Sequence, residues 1–292
     1  MIMSKVSVII PSYREKYLNK TIFSVLKSAK DDIEIIIFLD GYVDGFNTLI
    51  HDSRVKYLFS EENIGMRNAI NKLSSESTGK FIMKLDSHCN IQSGFDIHLK
   101  CGHELNCISV PSRYHLNLKT WKKNIGPIDY TYLKYPKNLE KEIGFRNNRL
   151  KMNKLSKNKM IDNIITFQGS CWFMEKDFFE KIGKLDSDYF GSLGTEAQEL
   201  SMKTWLCNDG RVIRNKNVWY SHYQRKSPIT KQLRNNMIIN MQKTFSMCML
   251  DKWPNQKKPF KWLIDKLGPF PGWPDNWYTK EYINSIKKYL LI

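Results

Sequence analysis

Short, wholly apolar runs alternate with amphipathic stretches over the first ninety residues. Val6-Ser-Val-Ile-Ile10 is a β-branched run stopped by Pro11, which predicts a buried strand. Leu18, Ile22, Val25 and Leu26 recur at helical spacing, which predicts a helix over 17–29. Ile33 to Leu39 predicts a second buried strand ending at Asp40-Gly41, Met66 to Ser75 a second helix, and Phe81 to Leu85 a third strand ending at Asp86. Strand, helix, strand, helix, strand implies a parallel sheet with right-handed crossovers. Ligands of such sheets bind beyond the carboxyl ends of the strands. Pro11, Ser12, Tyr13, Asp40 and Asp86 all fall there.

The rhythm lapses over residues 113–160, where Lys, Asn and Tyr are frequent and apolar runs are short. This segment is expected to leave the core and to be partly mobile. Order resumes with the apolar run Ile164 to Met174, and helices are expected at Asp177–Ile182 and Thr195–Cys207. The Pro- and Trp-rich tail, 251–278, is expected as an extended wrap over the core.

A chain of 292 residues with 41% hydrophobic and 26% charged residues is ample for a core, so neither a disordered tail nor a small stapled module fits. No stretch of 18 apolar residues is present, and the start lacks the charged-then-apolar pattern of a signal peptide. The six cysteines form no Cys-x-x-Cys pair, so they read as buried free thiols of a reducing cytosol.

Charge changes the picture more. The net charge is +17, and it is unevenly placed. Residues 1–112 are neutral and 161–222 carry −2, whereas 113–160 carry +10 and 223–292 carry +9. Abundant Lys and Asn throughout would give a basic chain without function, but not a neutral first third. A localised excess of this sign attracts nucleic acid, anionic lipid or acidic polysaccharide.

Candidate chemistry begins at Asp86-Ser87-His88. Residues i and i+2 of an extended segment point the same way, so Asp86 and His88 can converge on one ion. A carboxylate with an imidazole suits Mn²⁺ or a similar divalent ion better than Ca²⁺. By itself Asp-x-His is more often a loop acid beside a half-buried histidine. A third ligand strengthens it, and His222 in Trp219-Tyr-Ser-His-Tyr-Gln-Arg225 is the candidate.

Several ordered motifs together resemble a GT-A glycosyltransferase of family 2 type, and within that group the catalytic domain of polypeptide N-acetylgalactosaminyltransferases. They are Asn63-x-Gly65, Asp86-x-His88-Cys89, Gly169-Ser-Cys-Trp172-Phe-Met, Gly194-Thr-Glu196-Ala-Gln-Glu199-Leu-Ser with Trp205-Leu-Cys207, and His222-x-x-Arg225. The match covers roughly 5–110 and 165–226. The resemblance implies an α/β fold of GT-A type: a mostly parallel central sheet flanked by helices, within a catalytic domain over 1–226. A basic acceptor-side insertion over 113–163 and a basic C-terminal extension over 227–292 would be additions to it.

The resemblance further implies that Asp86, His88 and His222 hold Mn²⁺, or another divalent cation, on the diphosphate of a nucleotide-sugar donor. UDP is favoured over GDP on that ground alone. It implies that Pro11, Ser12, Tyr13, Arg14 and Asp40 hold the nucleoside, and that Ser87, Gly169 and Trp172 border the donor. Arg67, beside Asn63-x-Gly65, is placed with the donor-binding residues, although it is offset from the family's usual Arg. Arg225, with Lys226 beside it, would stabilise charge on the leaving diphosphate. Glu196 and Glu199 share one helix face and would meet donor sugar and acceptor. Many inverting relatives carry Asp directly after the first Glu; here Ala197 stands there, which leans toward retention, with Glu199 as the alternative base. Trp205 is expected in the core.

Ser192-Leu193-Gly194-Thr195 replaces the family's Trp-Gly-Gly, so the sugar does not carry over. The chain shows no membrane anchor and no lectin module, from which a cytoplasmic enzyme is expected, in host cytoplasm if viral. The basic segments suggest a polyanionic acceptor, such as hydroxymethylated bases of viral DNA. Cell-surface polysaccharide and protein Ser/Thr are the alternatives. A basic nucleic-acid-binding protein on a decayed glycosyltransferase fold is the non-enzyme reading, and the intact Asp86, His88 and His222 argue against it. A nucleotidyltransferase would need a Gly-rich phosphate loop, which Pro11 to Glu15 lacks.

Overall fold

The computed structural model describes residues 4–41, 48–142, 144–148, 159–224 and 230–291. Its opening unit is β1 (Val6–Ser12), α1 (Leu18–Ser28), β2 (Ile33–Asp40), β3 (Val55–Ser60), α2 (Gly65–Glu76) and β4 (Phe81–Leu85). These strands are parallel neighbours in the order β4-β1-β2-β3. Every residue of β1 is buried, because both sheet faces are covered. Val8, Ile10, Ile35 and Ile37 meet Ile22 and Val25 of α1, whereas the alternate residues Ile9, Ile36 and Phe38 meet Ala69, Ile70 and Leu73 of α2. The period of two in the strands thus sorts the two helices to opposite faces.

The remaining elements are β5 (Cys89–Ile91), α3 (Phe95–Cys101), β6 (Cys107–Asn117), β7 (Lys122–Lys123), β8 (Tyr132–Lys134), β9 (Arg146–Asn148), β10 (Ile161–Asn163), β11 (Cys171–Glu175), α4 (Lys176–Lys181), α5 (Ser187–Phe190), α6 (Glu196–Met202), β12 (Arg211–His222), α7 (Lys231–Met249), α8 (Phe260–Leu267) and α9 (Lys280–Ile286). A π-helical turn, Lys203–Cys207, prolongs α6 and seats Trp205 in the core, as expected. The main sheet runs β10-β12-β6-β11-β4-β1-β2-β3. It is mixed, since β11 lies antiparallel between β4 and β6. The α/β class with a large central sheet flanked by helices is as the sequence implied.

Three local expectations are corrected. The segment 113–160 does not simply leave the core: Tyr132, Leu133, Tyr135 and Phe145 belong to the main cluster. Its apolar residues are aromatic and scattered among lysines, so no run announces them. The tail, 251–278, packs over the core as expected but is not extended throughout: α8 lies within it, and Trp273 stacks on Phe145 with its ring nitrogen donating to the Leu133 carbonyl at 2.8 Å. Five cysteines are buried free thiols, but Cys101 is exposed. Among the described residues no helix is long and apolar enough to cross a membrane.

Candidate metal and donor site

The carboxyl ends of β1, β4 and β12 meet at one edge of the sheet. β12 runs beside β6 and pairs with β5, which places His222 opposite Cys89. The Tyr223 amide then donates to the His88 carbonyl at 3.1 Å. Strand pairing therefore carries His222 across 134 residues of chain to the Asp86–His88 turn. His222 Nε2 lies 3.0 Å from Asp86 Oδ2 and 3.0 Å from His88 Nε2. The three residues are a group whose ligand atoms all fall within 4.8 Å of one another.

An ion with bonds of about 2.1 Å at right angles sets adjacent donors about 3 Å apart, so this spacing fits one divalent cation. Burial holds the His222 imidazole down to about 4 against the pull of Asp86, and burial lowers His88 as well, so both rings are neutral near pH 7. Burial opposes ionisation of Asp86, but Lys84 and His222 outweigh it and keep the carboxyl well below the usual range. His88 Nδ1 lies 2.9 Å from Glu15 Oε2, the carboxylate–imidazole arrangement that orients a metal-binding ring. Arg113 Nη2 donates to His222 Nδ1 at 3.1 Å. That leaves the proton of the neutral ring on Nε2, 3.0 Å from Asp86, so holding an ion through Nε2 would require that proton to move to Nδ1 and Arg113 to give up its bond.

Lys84, Glu15 and Arg113 were not singled out from the sequence. Lys84 carried a signal, being a cation inside the apolar run Phe81 to Leu85. It is 3% exposed, ion-paired with Asp86, and donates to the Gly169 carbonyl at 2.8 Å. Arg113 opens the segment that looked like an excursion, and nothing in the sequence set Glu15 apart.

Of the donor residues expected, Pro11 and Ser12 end β1 in buried positions, and Tyr13 and Arg14 stand exposed just beyond. Ser87 is buried in the turn between the two ligands. Asp40 gives both carboxylate oxygens to backbone amides, Ile64 at 2.6 Å and Gly65 at 3.0 Å, and so fixes the start of α2. Its burial outweighs those two bonds and raises its pKa.

Three residues sit differently from their expected roles. Arg67 is fully buried, donates to Glu199 and to the Gly194 carbonyl, and presents no face to a ligand. Trp172 is 1% exposed and stacks on Phe179 in the core, so it offers no face to a sugar. Glu199 is fully buried, and its oxygens accept from Arg67, from Lys203 Nζ at 2.6 Å and from the Asp186 amide at 2.8 Å. In each case a helical or strand position among apolar residues decided the outcome. Glu196 is half-buried, accepts from the Gly194 amide at 2.6 Å, and borders with Gly169 a pocket of about 850 Å³. Arg225 and Lys226 lie outside the described residues.

A sequence-family model described as "Glycosyl transferase family 2" matches residues 7–183. The putative polypeptide N-acetylgalactosaminyltransferase 13 of Drosophila melanogaster is 26% identical over 228 residues, covering 70% of this chain and 39% of the fly protein. The crystal structure of GalNAc-T7 with UDP, GalNAc and Mn²⁺ superimposes with a TM-score of 0.65 at 18% identity, over 91% of this chain and 57% of that one. S. aureus TarS superimposes at 0.53 with 15% identity, over 86% and 41% of the two chains. The chain thus spans less than half of the fly protein and little more than half of GalNAc-T7.

Proposed function

Because the chain belongs to glycosyl transferase family 2, we propose that it is a metal-dependent glycosyltransferase moving a sugar from a nucleotide donor, UDP foremost, to a hydroxyl of a polyanionic acceptor. The observation that carries this reading is the convergence of Asp86, His88 and His222 at the carboxyl edge of the sheet with neutral imidazoles and spacing suited to one ion. The crystals of GalNAc-T7 with UDP and Mn²⁺ support the same donor and metal. Bound there, the cation would offset negative charge on the diphosphate as it leaves.

The chain's own residues do the rest. Glu15 accepts from His88 Nδ1 and so orients that imidazole with Nε2 free for an ion, and Lys84 bridges Asp86 and the Gly169 carbonyl. The acceptor oxygen bonds to the anomeric carbon, the bond from that carbon to the diphosphate breaks, and the nucleoside diphosphate departs. The acceptor proton goes to the departing phosphate oxygen in a retaining displacement. Retention is the reading we favour, since Glu199 is fully engaged and Ala197 stands where an acid would serve as base. Glu196 remains as the carboxylate bordering the pocket, placed to orient hydroxyls. The catalytic unit is taken as 1–226, with 227–292 as an extension. The acceptor class rests on the charge of 113–160 and 223–292, and modified bases of DNA are one such acceptor.

The test is UDP release across a panel of UDP-sugars with Mn²⁺ or with EDTA. Release from one donor, lost with EDTA and in Asp86→Ala, is expected. The reading fails if UDP neither binds with Mn²⁺ by calorimetry nor is released from any donor.

A further inference from the structure

The pocket of about 850 Å³ begins at Gly169, whose carbonyl accepts from the same Lys84 ammonium that pairs with Asp86. It is where the two basic segments of the chain meet. Lys141 and Arg146 come from the first and Arg234, on α7, from the second. All three are exposed at the pocket, and none is ion-paired among the described residues. One wall is aliphatic, built by Met237, Ile238 and Met241 of α7, with Ile238 41% exposed. Gln198 also lines the pocket. Gln198 is 4% exposed and donates through Nε2 to Asn147 Oδ1 at 2.9 Å, while its Oε1 is buried without a donor. A buried carbonyl in that state is a standing demand for an N–H or O–H.

Three requirements therefore fall on one occupant: negative charge at the rim, an apolar face against α7, and a donor on an edge facing Gln198. A polyol phosphate has the charge and hydroxyls but no apolar face. A neutral glycan or uncharged peptide has no anion. A nucleotide has all three: phosphate, the flat face of a base, and amino or imino hydrogens on its edge. Resting on the glycosyltransferase reading above, we propose that this pocket receives one unstacked nucleotide of a nucleic-acid strand as the acceptor. Its phosphates lie on Lys141, Arg146 and Arg234 and its base lies between the α7 wall and Gln198. The hydroxyl that takes the sugar then belongs to that nucleotide. Single strands are preferred to duplex, because a paired base must first be extruded.

The experiment is fluorescence anisotropy with a labelled single-stranded oligonucleotide and an abasic oligonucleotide of the same length. The base-bearing probe is expected to bind about tenfold tighter than the abasic one. The triple variant Lys141→Ala, Arg146→Ala, Arg234→Ala should lose about tenfold or more. Its salt dependence should be shallower by about 2 in the log–log slope, at about 0.7 for each lost phosphate contact. The charge-matched control Lys257→Ala, Lys258→Ala, Lys288→Ala, whose residues do not line the pocket, should lose much less. Equal binding of the two probes, equal losses in the two triples, or equal competition by poly(ribitol phosphate) overturns the proposal. Mn²⁺-dependent UDP binding, measured by calorimetry in the same variants, should be unchanged. UDP binding without base discrimination sinks the pocket assignment alone, whereas absent UDP binding in the wild type sinks the reading beneath it.

Discussion

Glu199 is the residue on which the sequence and the structure give opposite roles, and Glu199→Gln separates them. Both Glu199 and Arg67 have side chains with no solvent exposure. The carboxylate receives the Arg67 guanidinium, the Lys203 ammonium at 2.6 Å and the Asp186 amide at 2.8 Å. Arg67 in turn holds the Gly194 carbonyl and lies over the Phe190 ring at 4.8 Å. The substitution keeps shape and one carbonyl oxygen but removes the negative charge that two cations share, one of them wholly buried. Breaking a buried pair from one side costs about 3–5 kcal/mol, a large share of the roughly 5–15 kcal/mol that holds a domain together. At about 2–4 °C per kcal/mol for a chain of this general size, the melting temperature should fall by about 10 °C. Arg67→Met combined with Glu199→Leu should recover part of the loss, because the charges leave together. The assay is thermal unfolding beside UDP release at a temperature where the variant stays folded. A Glu199→Gln protein that melts within about 2 °C of wild type yet has lost turnover would refute this structural assignment, and would return Glu199 to the role of base.

Glu15→Ala should weaken Mn²⁺ binding about 10- to 100-fold by calorimetry, since it frees the His88 ring, and Glu15→Gln, which keeps an acceptor, should lose less. Gly65 has φ +83°, and a Cβ there would stand 2.3 Å from the Ser192 Cβ. Gly65→Ala should therefore cost about 2 kcal/mol in denaturant unfolding, with α2 pushed off the Ser192–Glu196 turn. His103 has both ring nitrogens buried without hydrogen bonds, and burial lowers its pKa against the pull of Glu175. Below about pH 6.5 the unfolded chain takes up a proton that the folded ring refuses, so its contribution to stability is present at neutral pH and lost on acidification. Melting curves between pH 7 and 5 should accordingly fall less steeply for His103→Leu than for wild type.

How much of this was legible follows from which interactions are local. The apolar runs of β1, β2 and β4 give way at Pro11, Asp40 and Asp86, within a residue or two of the strand ends at Ser12, Asp40 and Leu85, so the edge that carries the site could be drawn from the sequence. Asp86 and His88 are close in the chain, but they meet across the turn between β4 and β5 and not along the extended segment that the i, i+2 spacing assumed. His222 joins them through the register of β12 with β5 and β6, which no spacing encodes; the motif resemblance, not periodicity, pointed to it. The residues that tune the triad were hidden for the same reason. Lys84 is unusual only because a buried strand surrounds it, and Glu15 and Arg113 acquire their meaning from the imidazole each happens to face. Conversely, Arg67, Trp172 and Glu199 sit in motif-bearing stretches, so a linear reading assigned them to ligand, whereas their side chains point into the packing beneath the site. A motif fixes where the chain must be, and burial decides which of its side chains can touch anything that arrives. The charge pattern shows the same division. That residues 113–160 and 223–292 hold the excess was plain from counting. That Lys141, Arg146 and Arg234 line one pocket required α7 to pack against Gly144 and Phe145, and this closure gathers charge from two distant stretches of chain at one place.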